Sequence, residues 1–258
     1  MNLLLESFRE VQLTGDSEVC IVRGYAGAGK TYLVKKAMDR MVQEGALTTY
    51  AKYDQYSQDV PYLAMVNLNY SCGSNIQSLC ISDIARQLFF KTVEDWHYFT
   101  NTMKTALGKD LPVLIELVPL LEKMFPKDEN SHPKVEVPPS EAEERTLRII
   151  QSFLSCVAFD DRPLVLFIDD IQWSSDAEIN LLIRLISSFR RSASGGSIRN
   201  CLLIMSYRVN ELRETALAKL RDVMESLIQN VGSETRGAVE LEVGPLRLVN
   251  QSQGTILI

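Results

Sequence analysis

Gly24-Tyr25-Ala26-Gly27-Ala28-Gly29-Lys30-Thr31 sets two glycines five positions apart and follows the second with lysine and threonine. Glycines at this spacing let successive backbone amides turn inward as a nest for an anion, and let a phosphate approach with no Cβ in the way. A helix starting at Lys30 would add its electropositive N-terminal end. The Lys30 ammonium can then reach the β- and γ-phosphates of a nucleoside triphosphate, and the Thr31 hydroxyl can ligate magnesium. Average residue frequencies give such a match by chance in ~1% of chains of this length. Here it also stands between a strand-like run and a helical pattern, which the chemistry requires. Two further groups can work with it. Leu164-Val-Leu-Phe-Ile168 is an apolar run closed by Asp169-Asp170. A carboxylate at the end of a buried strand can face bound magnesium, directly or through water, which suits Asp169, while Asp170 can polarise an attacking water as general base. Arg208 follows another apolar run and offers a permanently charged guanidinium able to bind two phosphate oxygens.

These residues need a sheet to bring them together. Glu18–Arg23 reads as a buried strand ending at Gly24, and Lys30–Glu44 as a helix with Leu33, Ala37, Met38, Met41 and Val42 inward and Gly45 at its end. Leu47–Tyr53 is a second strand. Ile81, Ile84, Ala85, Leu88 and Phe89 keep helical period, and Thr92–Leu107 and Leu111–Leu121 read as two more helices. Pro126 to Pro139 is a polar, proline-rich linker, followed by a capping box at Ser140–Glu143 and a helix to about Val157. Leu164–Ile168 is a central strand. A helix starting at Ser175–Glu178 has Leu181, Leu182, Leu185 and Ile186 inward, Cys201–Tyr207 is the next strand, Glu214–Ile228 a helix and Ala238–Val243 a last strand. Strands separated by helices imply a parallel sheet with right-handed crossovers. The expected domain is a single unit over 1–258, with a helical insertion at about 74–125 and the linker at about 126–139.

Composition narrows the classes. A chain of 258 residues that is 46% hydrophobic and 23% charged can bury a sizeable core. The formal charge of −6 argues against a broad nucleic-acid surface, which needs a basic face. There is no run of about 18 apolar residues, so no membrane span is expected, and Met1–Gln12 reads as an amphipathic helix rather than a signal peptide. The five scattered cysteines, with no C-x-x-C pair, fit reduced thiols of a cytoplasmic or nuclear protein. His97 and His132 have no ligand spacing with cysteine or carboxylate. Trp173 can pack over the strand end or serve an interface, and Arg190-Arg191 reads as a solvated helix end.

Three stretches together resemble one family. Gly24–Thr31 (a Walker A loop), Lys52–Ala64 (KYDQYSQDVPYLA) and Val165–Ser175 (VLFIDDIQWSS, a Walker B strand) look like the ATPase domain of STAND-class signalling proteins. These are AAA-related regulatory ATPases with origin-recognition-complex-like AAA domains. The next strand of that family ends in a tyrosine–arginine pair followed closely by asparagine and glutamate, matched by Tyr207-Arg208 and Asn210-Glu211. The resemblance runs from about Leu3 to Pro245 and implies a three-layer αβα P-loop sandwich with a five-stranded parallel sheet in order 5-1-4-3-2. It also implies ATP with Mg2+ as ligands, Asp169 in the magnesium role, Asp170 activating water and Arg208 sensing phosphate. Some positions depart from the family. Ser175 stands where an aspartate is usual, and Asn67–Cys80 does not follow the usual text. The family's Gly-Arg segment before the first helix is not in the sequence, and Gln251–Ile258 stands where a helical lid is expected after Pro245, so the reading is of a core without its lid.

The functional expectation is an ATP-binding, slowly hydrolysing switch module of a signalling protein, acting through a protein partner or self-association. Two alternatives stay open: a nucleotide-binding scaffold without turnover, and a DNA-associated ATPase like those of replication initiators.

Overall fold

A computed structural model describes residues 1–53, 84, 87, 93–117, 119–125, 139–158, 162–189, 198–230 and 238–244. Most of the Lys52–Ala64 stretch, the helical pattern around Ile81–Phe89 other than Ile84 and Gln87, the linker before Pro139, Arg190-Arg191 and the tail from Pro245 lie outside the described residues.

Five strands form one sheet: β1 (Glu18–Gly24), β2 (Leu47–Lys52), β3 (Leu164–Asp169), β4 (Cys201–Arg208) and β5 (Ala238–Val243). Every neighbouring pair is parallel, and the order is β2-β3-β4-β1-β5, which is the expected 5-1-4-3-2 read from the other edge. Parallel sheets are covered on both faces, so their central strands are apolar throughout rather than alternating. β3 is buried at every position, and β4 at every position but Arg208.

Alternate residues of these strands feed two cores. On one face Cys20, Val22, Val165, Phe167, Leu202 and Ile204 pack against two helices, α1 (Asn2–Thr14) and α2 (Lys30–Gln43). On the other, Ile21, Leu166, Ile168, Leu203 and Met205 meet α3 (Val93–Leu107), α5 (Pro139–Val157), α6 (Asp176–Ser187) and α7 (Glu214–Asn230). The short helix α4 (Leu111–Leu117) lies between α3 and α5 in the chain. The result is the three-layer αβα arrangement.

Two helices differ from expectation in their detail. In α2 the buried stripe is Val34, Ala37, Met38 and Met41, with Val42 50% exposed. These positions keep i, i+3, i+4, i+7 spacing, so the inward face is turned from the Leu33–Val42 pattern toward Val34, with Leu33 only partly buried at its edge. Of the helix expected over Leu111–Leu121, Leu111–Leu117 is α4 and Pro119–Lys123 is a 3-10 turn, since Pro119 has no amide to donate to the preceding turn. α5 begins at Pro139; the Ser140 and Glu143 side chains lie outside the described residues. A complete capping box starts α6: Glu178 N–H donates to Ser175 Oγ at 3.3 Å, and Ser175 N–H donates to Glu178 Oε2 at 2.8 Å.

Candidate functional site

The helix after β1 packs on one face of the sheet, whereas those after β3 and β4 pack on the other. Connections that part in this way open a crevice beyond the C-terminal strand ends, where open α/β sheets bind ligands. The Gly24–Thr31 loop, Asp169-Asp170 and Arg208 all lie at that edge, at the ends of β1, β3 and β4.

The loop leaves β1 at Gly24 and enters α2 at Lys30. Gly27 and Gly29 hold φ of +74° and +88°, a backbone conformation that costs glycine little and other residues much, and a Cβ added at either would meet nothing within 4 Å. Gly29 is the N-cap of α2, and no side chain caps that end, so its first amides have no side-chain acceptor. Gly24 is required for a different reason. It pairs in register with Val243 of β5, and a Cβ there would run into the Val243 carbonyl oxygen. Gly24→Ala is therefore expected to push β5 off β1 and to cost about 1–3 kcal/mol of stability in urea unfolding, as overpacking does. Unchanged stability would show that β5 is not held this closely.

Lys30 is 6% exposed, and its ammonium donates to the carbonyls of Gly24 at 3.0 Å and Tyr25 at 2.9 Å. Burial pulls its pKa below the usual lysine value, against the attraction of Asp170 and Asp169. Among the described residues this desolvated cation bonds only neutral acceptors, a poor arrangement for a buried charge unless an anion comes to it. Thr31 Oγ1 donates to Asp169 Oδ2 at 2.7 Å, joining residues 138 apart in the chain.

Asp169 is fully buried and hydrogen-bonded on both oxygens. Oδ2 accepts from Thr31 and, at 3.2 Å, from the hydroxyl of Tyr50 on β2. Oδ1 accepts from the Ser206 hydroxyl on β4 and from the Asp170 amide at 3.1 Å. Asp170 takes a left-handed conformation, φ 56° and ψ 45°, where the strand turns into the 3-10 turn Ile171–Trp173. Its carboxylate lies between two cations: Lys52 Nζ, from the end of β2, is 3.1 Å from Oδ2, and Arg208 Nε is 3.5 Å from Oδ1. Gln172 Nε2 donates to the same Oδ1 at 3.0 Å, and Gln172 Oε1 accepts from the Arg208 amide at 3.2 Å. Burial pushes the Asp170 carboxyl up, but Gln172, Lys52 and Arg208 outweigh it and hold the group below its ordinary value. Arg208 also donates to both Glu211 oxygens at 3.1 Å, with its guanidinium 6.0 Å from the centre of the Trp173 ring. Trp173 itself is partly buried against the core.

The structure thus joins Thr31, Asp169, Asp170 and Arg208 in one network, with Lys30 bonded to the adjoining Gly24–Gly29 loop. Tyr25 is 54% exposed. Ala28 is buried, and its amide closes the turn onto the Tyr25 carbonyl at 3.2 Å. Sequence reasoning missed Tyr50, Lys52, Gln172 and Ser206. Ser206 had a usable signal as the lone polar residue of the Cys201–Tyr207 run, because a buried hydroxyl needs a partner. Tyr50 and Lys52 carried none, since their partners come from β3.

A family model described as AAA ATPase domain matches residues 1–204. The chain belongs to that family. Among curated proteins this AAA ATPase domain is similar to hybrid signal transduction histidine kinase G of Dictyostelium discoideum, 25% identical over 189 residues. That match covers 73% of this chain and 5% of the kinase's length. Among solved structures it is similar to Cdc6p of Pyrobaculum aerophilum, at 12% identity and a TM-score of 0.41, covering 93% of this chain and 42% of that one. Among the described residues of the AAA ATPase domain, no helix is long and apolar enough to cross a membrane.

Proposed function

We propose that this AAA ATPase domain binds ATP with Mg2+ in the Gly24–Thr31 loop and hydrolyses it slowly, as the switch of a signalling protein. The observation that carries the reading is the meeting of Thr31 and Asp169, which brings the helix after β1 to the carboxylates ending β3. The residues fit the group. The open glycine cradle and the uncapped α2 N-terminus suit phosphate oxygens. Among the described residues the buried Lys30 ammonium has no hydrogen-bonded anion, and Thr31 with Asp169 offers the hard oxygen donors magnesium prefers. Bound magnesium would neutralise charge on the β- and γ-phosphates.

The protein's own groups would do the rest. The loop amides and Lys30 hold the phosphates, Arg208 contacts the terminal one, and Asp170 accepts a proton from the attacking water. The contacts of Asp170 support slow turnover, because Lys52, Gln172 and Arg208 already take its oxygens and must be partly exchanged first. The same contacts favour the second reading, a nucleotide-binding scaffold without turnover. Similarity to a signalling histidine kinase supports the signalling role, with the output delivered through a protein partner or self-association.

The test is phosphate release from Mg-ATP by the wild type and by Asp170→Asn. Release that falls in the variant supports the switch. A thermal shift with ATP but no release in either supports the scaffold, and no binding at all contradicts both.

A further inference from the structure

We infer that Tyr50 is a positioning residue for the magnesium side of this site: its hydroxyl, alongside that of Thr31, keeps Asp169 aimed. The inference rests on the reading just given and assigns a function to a residue that motif spacing does not mark.

Asp169 Oδ2 accepts two hydroxyls, Thr31 at 2.7 Å and Tyr50 at 3.2 Å. The two donors are held in different ways. Thr31 stands in the first turn of α2, and its oxygen keeps lone pairs for magnesium while its O–H donates to Asp169. Tyr50 is fixed by packing that involves no ligand. Its ring lies against Phe167, with centroids 5.2 Å apart and planes inclined at 37°. The Lys35 ammonium sits 3.9 Å from the ring centre, a cation–π contact. Lys35 is four residues after Thr31 on α2 and so shares its face, which means one helix face meets both the carboxylate and the phenol aimed at it.

Tyr50 therefore holds Oδ2 from a second side, whatever Thr31 ligates. On the opposite oxygen, Ser206 and the Asp170 amide do the same. With all four donors in place both oxygens are held from two sides; without Tyr50, Oδ2 would keep Thr31 alone, the group that must also serve the cation. Outer hydrogen bonds of this kind orient a metal-side ligand, and their removal typically lowers metal affinity ~10–100-fold.

Tyr50→Phe keeps the ring, its Phe167 packing and its Lys35 contact, and removes only the hydroxyl. The measurement is a Mg2+ titration of fluorescent-ATP binding to wild type and Tyr50→Phe, with nucleotide affinity in EDTA and the melting temperature recorded beside it. The Mg2+ midpoint of the variant is expected to rise about tenfold, with affinity in EDTA unchanged. A midpoint within about twofold of wild type, in folded Tyr50→Phe that binds nucleotide, would overturn the inference and leave the ATP reading standing. A loss of melting temperature with no change in midpoint would assign Tyr50 to packing alone and overturn it equally. Wild type that binds no nucleotide at all would sink the ATP reading itself, and the inference with it.

Discussion

Lys30→Ala protein is expected to bind ATP about 100-fold more weakly than wild type, because truncating one partner of a buried charge pair costs 2–5 kcal/mol. The Lys30 ammonium is nearly solvent-free and bonded to two carbonyls of its own loop, Gly24 and Tyr25. Its desolvation is already incurred in folding, so an arriving phosphate gains a pre-positioned cation. Alanine removes that cation, while the Tyr25 carbonyl keeps the Ala28 amide and the Gly24 carbonyl the Val209 amide. The variant should therefore lose ligand without losing its fold, since the Lys30 ammonium bonds carbonyls of its own loop alone among the described residues. Equilibrium binding with circular dichroism as the fold control checks this. Affinity within a factor of about three of wild type would remove Lys30 from the phosphate site.

Asp170→Asn is expected to reduce phosphate release about 100-fold or more while ATP affinity changes little, since a positioned general base contributes 10²–10⁴-fold. The amide is isosteric but cannot take a proton from water. It also leaves Lys52 and Arg208 facing a neutral group, so some loss of stability should accompany it: these cations lie 3.1 and 3.5 Å from the carboxylate. Single-turnover phosphate release separates this from weakened binding. Unchanged release would assign the water-activating role elsewhere and make Asp170 a structural anchor for the two strand-end cations.

Much of the fold was legible because its signals are local. Apolar runs such as Leu164–Ile168 and Cys201–Tyr207 can satisfy a parallel sheet only by burial on both faces, and the alternation of strands and helices leaves few connections. The pieces of the site were legible for the same reason: glycine spacing marks the loop, and a carboxylate pair ends the central strand. The pairing among them was not. That Lys52 would reach Asp170 depends on β2 lying beside β3, with Lys52 in register with Asp169. Tyr50 depends on the same pairing and on the turn of α2 that lays Lys35 over its ring. In α2 itself the periodicity was right and its phase was shifted, because Leu33 and Val42 offered apolar side chains at positions the sheet does not cover.

The strand order also explains why the loop, rather than any other glycine-rich turn, meets the carboxylates. β1 lies beside β4, which lies beside β3, so the β1 loop and the β3 end are separated by one strand, and Ser206 on that strand bonds Asp169. Three strand ends converge on one carboxylate, and only the parallel arrangement puts all of them at the same edge.

The central claim, that ATP sits in the Gly24–Thr31 loop, is tested most directly by titrating Mg-ATP into isotope-labelled protein and following backbone amide resonances residue by residue. The largest shifts are predicted at Gly27, Gly29, Lys30 and Thr31, with smaller ones at Asp169 and Asp170, and the same titration of Lys30→Ala should leave them nearly still. Saturable shifts confined to residues away from this loop, or none at millimolar ATP, would contradict the account.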